Sequence, residues 1–545
     1  MKLIKASVIA LAIVSGLGMS TSVMSESTSV NQTAGIDANT LNTYFSQLNK
    51  HDKYLGSVAV YKKGVKQYQN TLTLNDNGEA VHSDQTLKYR VGSITKTFTS
   101  VLVFKLIEES KLTLNTKLSD YFPNIINADK ITIKQMLSHT SGIKSFTTDP
   151  RFLEIMYSKQ NVETMVRMVE GYESLFEPGS NVEYSNSNYY LLGQIIERVT
   201  GKSYQANLEK YITNKLGLTD TYFGGSINPD AREVYSYGYS EDKWSKDKQS
   251  DMSIPHGAGS IVSSTHDLSV FIHALFDGQL VNEASLASML ETKKDFGKGI
   301  FKQRKDDTVL YGHDGAIDNF VSSLTYDIHS GTSVSVLLNG ANISPAPLSN
   351  ALFAAANGEE VVIPNFNYLA LSEAELEKFA GFYTSDTAPM DLTVYVEDAS
   401  LMLKPTGQGA FPVSAKSANE FELADYGISV VFDTSERSFV IKQGPNTDKF
   451  VWSKPYINKT VDVAVEVLKG YEGTYSSPTF PLDLKVFVKD GKLMAQATGQ
   501  GAFLLSASSP TTFTFNKAGI EINFDAASEQ LTLSQGGRDT LMTKS

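Results

Sequence analysis

Eight histidines and no cysteine leave this 545-residue chain few nucleophiles and few bases. Thiolate catalysis, disulfides, iron–sulfur clusters and cysteine-based zinc sites are excluded. The serine elbow Gly-x-Ser-x-Gly does not occur, and neither does His-Glu-x-x-His. What does occur is Ser-x-x-Lys. Residues three apart on a helix share a face, so the Lys96 amine can reach the Ser93 hydroxyl. The same spacing recurs at Ser141/Lys144, Ser240/Lys243 and Ser245/Lys248, each in polar, loop-like surroundings. Only Ser93 opens a helical run, Phe98 to Glu109, that is apolar almost all round and therefore buried. Arg90-Val91-Gly92 supplies the turn before it. A serine there has its hydroxyl and its own N–H at the positive helix terminus, which favours a developing oxyanion.

A second element is Tyr184-Ser185-Asn186, placed on a loop by Glu177-Pro178-Gly179 and followed by a helix. A phenol is a poor base in water, but beside a lysine ammonium its phenolate is stabilised, so Tyr184 can take the serine proton. Asn186 can hold Lys96 and a substrate amide. The third element is Tyr311-Gly312-His313-Asp314-Gly315-Ala316 on an expected strand. Gly315 has no Cβ, so a substrate backbone can lie against the strand edge, and the Ala316 N–H offers a second oxyanion donor. His313 offers a donor or a positive charge. His139 and Ser141 are too close in the chain to align as base and nucleophile, so His139 reads as part of a hydrogen-bonded loop.

Ser93/Lys96, Tyr184/Asn186 and His313/Gly315, in that order, resemble the serine β-lactamase and penicillin-binding protein superfamily. The resemblance is to the branch of class C β-lactamases, D-alanyl-D-alanine carboxypeptidases, D-aminopeptidases and related esterases. Leu137-Ser138-His139-Thr140-Ser141-Gly142-Ile143 looks like a loop of that branch, and His256-Gly257-Ala258-Gly259-Ser260 like a glycine turn near its site. The β-lactamases of this branch carry Lys-Thr-Gly at the third element. This chain has His313-Asp314-Gly315, closer to the His-x-Gly of its peptidases, and Asp314 adds a negative charge that opposes a substrate carboxylate unless it points away. The resemblance implies an acyl-enzyme hydrolase with Ser93, Lys96 and Tyr184 catalytic, Asn186, His313, Gly315 and Ala316 binding substrate, and no metal or cofactor. The expected substrates are short peptides, D-residue-containing ones included. Small-ester hydrolysis is one alternative. A penicillin-binding or sensor protein that acylates without turnover is another, from a different class.

These residues must be positioned by a mixed domain. Leu55 to Tyr61 and Val65 to Leu74 read as an early hairpin, Tyr189 to Val199 as a helix closed by Gly201, and Val309 to Tyr311, Val321 to Tyr326 and Thr332 to Leu338 as strands. Beyond them the chain repeats itself. Gly381-Phe382-Tyr383 aligns with Gly473-Thr474-Tyr475, 92 positions on, and Thr406-Gly407-Gln408-Gly409-Ala410-Phe411 with Thr498-Gly499-Gln500-Gly501-Ala502-Phe503. Alternating apolar residues in both copies predict antiparallel β. The expected class is α+β: a β-lactamase-like domain, an antiparallel sheet flanked by helices, followed by two tandem all-β modules, each a small antiparallel barrel. The expected division is 1–25 signal peptide, 26–365 catalytic domain, 366–456 first module and 457–545 second module, with Lys454-Pro455-Tyr456 as the linker between modules. By resemblance, the modules restrict the substrate entrance.

A basic start, an apolar run from Ser7 to Met19 and small residues before Glu26 predict a secretory signal peptide, hence an exported protein, periplasmic or secreted. With 48 basic against 60 acidic residues and a net charge of −12, nucleic acid is not an expected partner. No membrane insertion is expected once the signal is removed. The expected partner is a small peptide or ester substrate; the oligomeric state is left open.

Overall fold

The structure is a computed structural model. It describes residues 36–544 except 76, 306–307, 389, 407, 424–426, 444–445, 455, 457–460, 479, 499, 516–519, 526 and 536–537. The expected signal peptide therefore lies outside the described residues, as do Gly407, Gly499 and Pro455. The chain divides between Phe366 and Asn367. Phe366 still packs on His51, ring centroids 4.7 Å apart, and so belongs to the N-terminal unit.

That unit is built on an antiparallel sheet. Its strands run, in spatial order, Ala80–His82, Val65–Leu74, Tyr54–Lys62, Thr332–Ala341, Phe320–Asp327, Thr308–Ile317 and Phe301–Lys305. The first long strand lies beside the last, with Tyr54 opposite Ala341 and Lys62 opposite Thr332. Both faces are covered, which explains why Tyr54–Lys62 is buried at eight successive positions rather than alternating. On one face, Leu41, Phe45 and Leu48 of helix Ala38–Lys50 and Leu348 and Leu352 of helix Pro345–Asn357 pack on Val58, Val60, Val334 and Val336. On the other lies the larger core, which includes helices Thr95–Glu108, Asn186–Thr200 and Thr265–Phe276.

Helix Thr95–Glu108 is buried from Thr95 through Phe104 and again at Leu106. It has no polar face because protein surrounds it. Phe98 stacks on Phe271 with centroids 3.7 Å apart and planes 10° from parallel. Asn186–Thr200 ends at Gly201, whose φ of 64° is a conformation that costs glycine little.

From Asn367 onward the described chain is almost all β. Eight strands from Gly381–Thr384 to Asn446–Lys454 close a barrel, Phe382 of the first pairing with Lys454 of the last. Phe379, Phe421, Phe432, Phe439 and Phe450 belong to its core. The second module forms nine strands whose ends, Phe503–Leu504 and Ser506–Ala507, are consecutive in the chain but not paired, so the barrel is nearly closed. The repeat is visible atom by atom. Tyr383 donates its hydroxyl to the Phe379 carbonyl at 2.8 Å, and Tyr475 does the same to Tyr471 at 3.0 Å. Gln408 N–H bonds Pro405 O as Gln500 N–H bonds Ala497 O, the same backbone bond at equivalent positions of the two copies. Among the described residues no helix is long and apolar enough to cross a membrane.

Because Phe98 is fully buried between helices, Phe98→Ala should cost ~3–5 kcal/mol, read from urea unfolding of the N-terminal unit.

Candidate active site

Ser93 sits in the 3-10 turn Gly92–Ile94, immediately before helix Thr95–Glu108. The chain reaches this turn through Arg90, whose guanidinium donates to Ser250 O (2.8 Å), Gly225 O (2.9 Å) and Asp318 Oδ2 (3.0 Å). The turn then touches the strand Thr308–Ile317, and two glycines make that contact possible. Gly92 adopts φ of 50°, and a Cβ on it would lie 2.8 Å from Ala316 N. A Cβ on Gly315 would lie 2.1 Å from Val91 O and 3.0 Å from Ser93 N. Real Cβ atoms do not come this close to backbone, so only glycine fits. Ser322 Oγ donates to Val91 O at 2.8 Å and pins the turn against the sheet. The contact brings the backbone N–H groups of Ser93 and Ala316 together.

Lys96 lies one turn along, with no exposed surface. Its Nζ is 2.9 Å from Ser93 Oγ, 2.8 Å from Asn186 Oδ1 and 2.7 Å from Ala258 O. The faces of Tyr184 and Tyr189, 4.9 and 5.7 Å from Nζ, complete the enclosure. Burial holds the ammonium well below the usual lysine range. The partners suit a neutral amine. Asn186 Oδ1 and Ala258 O can only accept, so they take its two N–H groups and leave the lone pair for the Ser93 hydroxyl. Asn186 is itself held, its Nδ2 donating to Thr147 Oγ1 at 3.1 Å and its N–H to Ser145 Oγ at 3.1 Å.

Tyr184 donates its hydroxyl to Ser93 Oγ at 2.8 Å. Its phenol is pushed up by burial, against the Ser93 hydrogen bond and with the Asp314 charge acting in the same direction as burial. The expectation of a phenolate stabilised by an ammonium meets an opposing effect: burial raises the Tyr184 phenol and lowers the Lys96 ammonium. His139 fixes this loop. It is 1% exposed, accepts the Ser185 N–H on Nδ1 at 3.1 Å, and lies against the Tyr184 ring with centroids 4.5 Å apart. Burial, Lys96 and His313 keep it well below the usual histidine range.

His313 corrects a second expectation. Burial, with Lys96 nearby, lowers its pKa to about 3, so it brings no positive charge. Its Nδ1 is 2.5 Å from the Asp314 carbonyl oxygen. Since a carbonyl only accepts, Nδ1 carries the hydrogen and Nε2 is an acceptor. The ring stacks on Phe301 at 4.1 Å, and Phe301 meets Phe296 edge-on at 5.0 Å, forming an aromatic wall beside Tyr184. Asp314 is exposed at its surface while its flanking residues are buried. Its carboxylate neighbours the Ser323 hydroxyl of the adjacent strand, whose hydrogen bond favours the charged form.

The structure thus gathers Ser93, Lys96, Tyr184, Asn186, His313, Gly315 and Ala316 in one place. The other Ser-x-x-Lys pairs are spent elsewhere. Ser141 Oγ donates to Asn188 Oδ1 and Lys144 lies over the Tyr172 ring, while Ser240, Lys243 and Ser245 sit on the hairpin Tyr237–Ser240 and Lys243–Lys246, and Lys248 lies over the Tyr157 ring. The sequence did not single out the Ala258 carbonyl, Ser145, Thr147, Phe296 or Phe301. A backbone carbonyl has no side-chain signature, and the phenylalanines carry no motif. Among the described residues no group of three or more His, Asp or Glu side chains is arranged to hold a metal ion.

A helix-flanked antiparallel sheet with a serine in the turn before a buried helix, a lysine on that helix and a tyrosine closing over them defines the superfamily of serine β-lactamases and penicillin-binding proteins. The chain belongs to the Beta-lactamase family, whose model matches residues 41–357. It is 30% identical over 304 residues to Protein flp of Staphylococcus aureus, an alignment covering 52% of this chain and 59% of that protein. The chain therefore spans somewhat over half the length of that relative. A crystal structure of D-amino acid amidase from Ochrobactrum anthropi, complexed with L-phenylalanine amide, superposes with a TM-score of 0.50 at 25% identity, covering 56% of this chain and 92% of the amidase. The octameric penicillin-binding protein homologue from Pyrococcus abyssi covers 86% of this chain and 100% of its own, with a TM-score of 0.54. At 19% identity that likeness is one of fold alone.

Gly315→Ala should separate the Ser93 turn from the strand and lower kcat on the order of 100-fold, with KM changing less. Steady-state kinetics of the variant checks this.

Proposed function

We propose that the protein is a serine hydrolase that cleaves amide or ester bonds through an acyl-enzyme on Ser93. The observation that carries this reading is the Ser93–Lys96–Tyr184 cluster, with its two hydrogen bonds to Ser93 Oγ of 2.9 and 2.8 Å. As the hydroxyl attacks a carbonyl, its proton passes to the neutral Lys96 amine. The N–H groups of Ser93 and Ala316 stabilise the tetrahedral oxyanion. Tyr184, hydrogen-bonded to the attacking oxygen, protonates the leaving nitrogen or oxygen and is resupplied by Lys96. Water then enters, loses a proton to the same pair, and releases the acid.

Short peptides and amino-acid amides, those with D-residues included, are the substrates we favour. His313-Asp314-Gly315 stands where β-lactamases of this branch carry Lys-Thr-Gly, and the D-amino acid amidase is among the structures that superpose on the chain. Small esters are the second reading, since the cluster itself does not distinguish a nitrogen from an oxygen leaving group.

Two measurements test the mechanism. Ser93→Ala should lower turnover by at least about a thousandfold and abolish labelling by a fluorophosphonate or a β-lactam. Retained turnover overturns the assignment, and one acyl group trapped per chain with no steady state identifies a sensor instead. The second is the pH profile of kcat/KM. Lys96 acts as a base only when neutral, so the rate should fall as pH drops through its depressed pKa and reach a plateau well below pH 10.5. Tyr184→Phe should lower the plateau and keep this acid limb. A rate that climbs past pH 10 would assign the base to a Tyr184 phenolate.

A further inference from the structure

We propose that His256 and Glu197 are positioning residues for the Lys96 base: together they seat the turn whose Ala258 carbonyl accepts from the amine. The inference rests on the acyl-enzyme reading of Ser93 and adds what keeps its base in register.

Of the three atoms hydrogen-bonded to Lys96 Nζ, Ala258 O is the nearest, at 2.7 Å. A carbonyl is aimed only through its own peptide plane, so the 3-10 turn His256–Ala258 must be fixed on both sides. One side is tied to the helix that carries Lys96. Thr99 Oγ1 donates to Gly257 O at 2.6 Å, Tyr204 OH stands 2.6 Å from Thr99 Oγ1, and the Ile261 N–H donates to Thr95 Oγ1 at 3.0 Å. Since Thr99 gives its hydrogen to the carbonyl, the Tyr204 hydroxyl supplies the one between them. The other side rests on helix Asn186–Thr200, whose first residue is the other acceptor for Lys96. A Cβ on Gly257 would lie 2.7 Å from Tyr189 O, and one on Gly193 would lie 2.5 Å from His256 Nδ1.

His256 locks this second contact. It is buried and has φ of 40°, a left-handed conformation that a residue with a side chain adopts only where its surroundings hold it. Tyr190, Tyr204 and Phe223 meet its ring edge-on, with centroids 5.8, 5.3 and 5.3 Å away. Its Nε2 faces Glu197 Oε1 at 3.6 Å, and that oxygen also accepts the Tyr204 N–H at 2.6 Å. Glu197 therefore joins the His256 ring to the residue whose hydroxyl braces Thr99. Weakening this contact lets the turn shift and takes the Ala258 carbonyl from Lys96. The ammonium has three N–H groups for three acceptors and the amine only two, so losing one acceptor costs the charged form more. The Lys96 pKa then falls further while the lone pair loses its aim at Ser93.

The test measures, on the full chain, the rate constant for labelling of Ser93 by diisopropyl fluorophosphate between about pH 5 and about pH 10. Glu197→Gln, which keeps an acceptor for the Tyr204 N–H, should lower the plateau about tenfold and move the acid limb about one unit to lower pH. His256→Leu should do the same to a greater extent, and His256→Gln, which still offers an N–H to Glu197, should recover most of the loss. A residue that serves stability alone would instead lower the melting temperature and the labelled fraction, leaving the rate constant and acid limb of the labelled molecules unchanged. That result, or a limb that moves to higher pH, overturns the proposal. Should His256→Leu not fold, Glu197→Gln and His256→Gln decide by the same criteria. If wild-type Ser93 is labelled with an acid limb that these variants do not move, only this inference falls; if Ser93 is not labelled, both fall.

Discussion

The site depends on the burial of one amine. Lys96 is enclosed by two tyrosine faces and by two oxygens that can only accept, and water cannot reach it. In that enclosure an ammonium is costly and a neutral amine is matched to its partners, so the lone pair falls toward the serine. Each neighbour follows from this. Asn186 must be oriented with its oxygen inward, which Thr147 and Ser145 achieve. The Tyr184 phenol must stay protonated to donate to the same serine oxygen, which its own burial ensures.

A second constraint is steric. The Ser93 and Ala316 N–H groups come from a turn and a strand far apart in the chain, and they approach because neither Gly92 nor Gly315 has a Cβ. The sheet that holds the strand is itself closed by pairing Tyr54–Lys62 with Thr332–Ala341, so the catalytic geometry exists only once the two ends of the domain have met. The third motif, His313-Asp314-Gly315, differs from the Lys-Thr-Gly of typical β-lactamases by a histidine for the lysine and an aspartate for the threonine.

Much of this was legible in the residues. The hairpin, the buried helix after Ser93, the helix closed by Gly201 and the tandem repeat all follow from hydrophobic period and turn chemistry, which are local properties. Ser93, Lys96, Tyr184 and Asn186 were legible because Ser-x-x-Lys and Tyr-x-Asn each place two functional groups within one turn or loop. Phe296, Phe301 and the Ala258 carbonyl were not, since their roles come from long-range packing and leave no local pattern. The direction of the pKa shifts was hidden for a related reason. A nearby ammonium favours the Tyr184 phenolate, while burial, which the fold alone sets, acts against it.

The sequence by itself determined the chemistry available: no thiol, few histidines, a serine with a lysine one turn away, and a negatively charged residue in the third motif. It also determined that two copies of one β module follow the catalytic domain. The tertiary structure decided which of four Ser-x-x-Lys pairs is enclosed, which nitrogen of His313 faces the Asp314 carbonyl, and that burial lowers the pKa of Lys96 while raising that of Tyr184. Residue type and spacing fix what a side chain can do. Its pKa and hydrogen-bonding role depend on which distant groups exclude water from it, and those are set only by the fold.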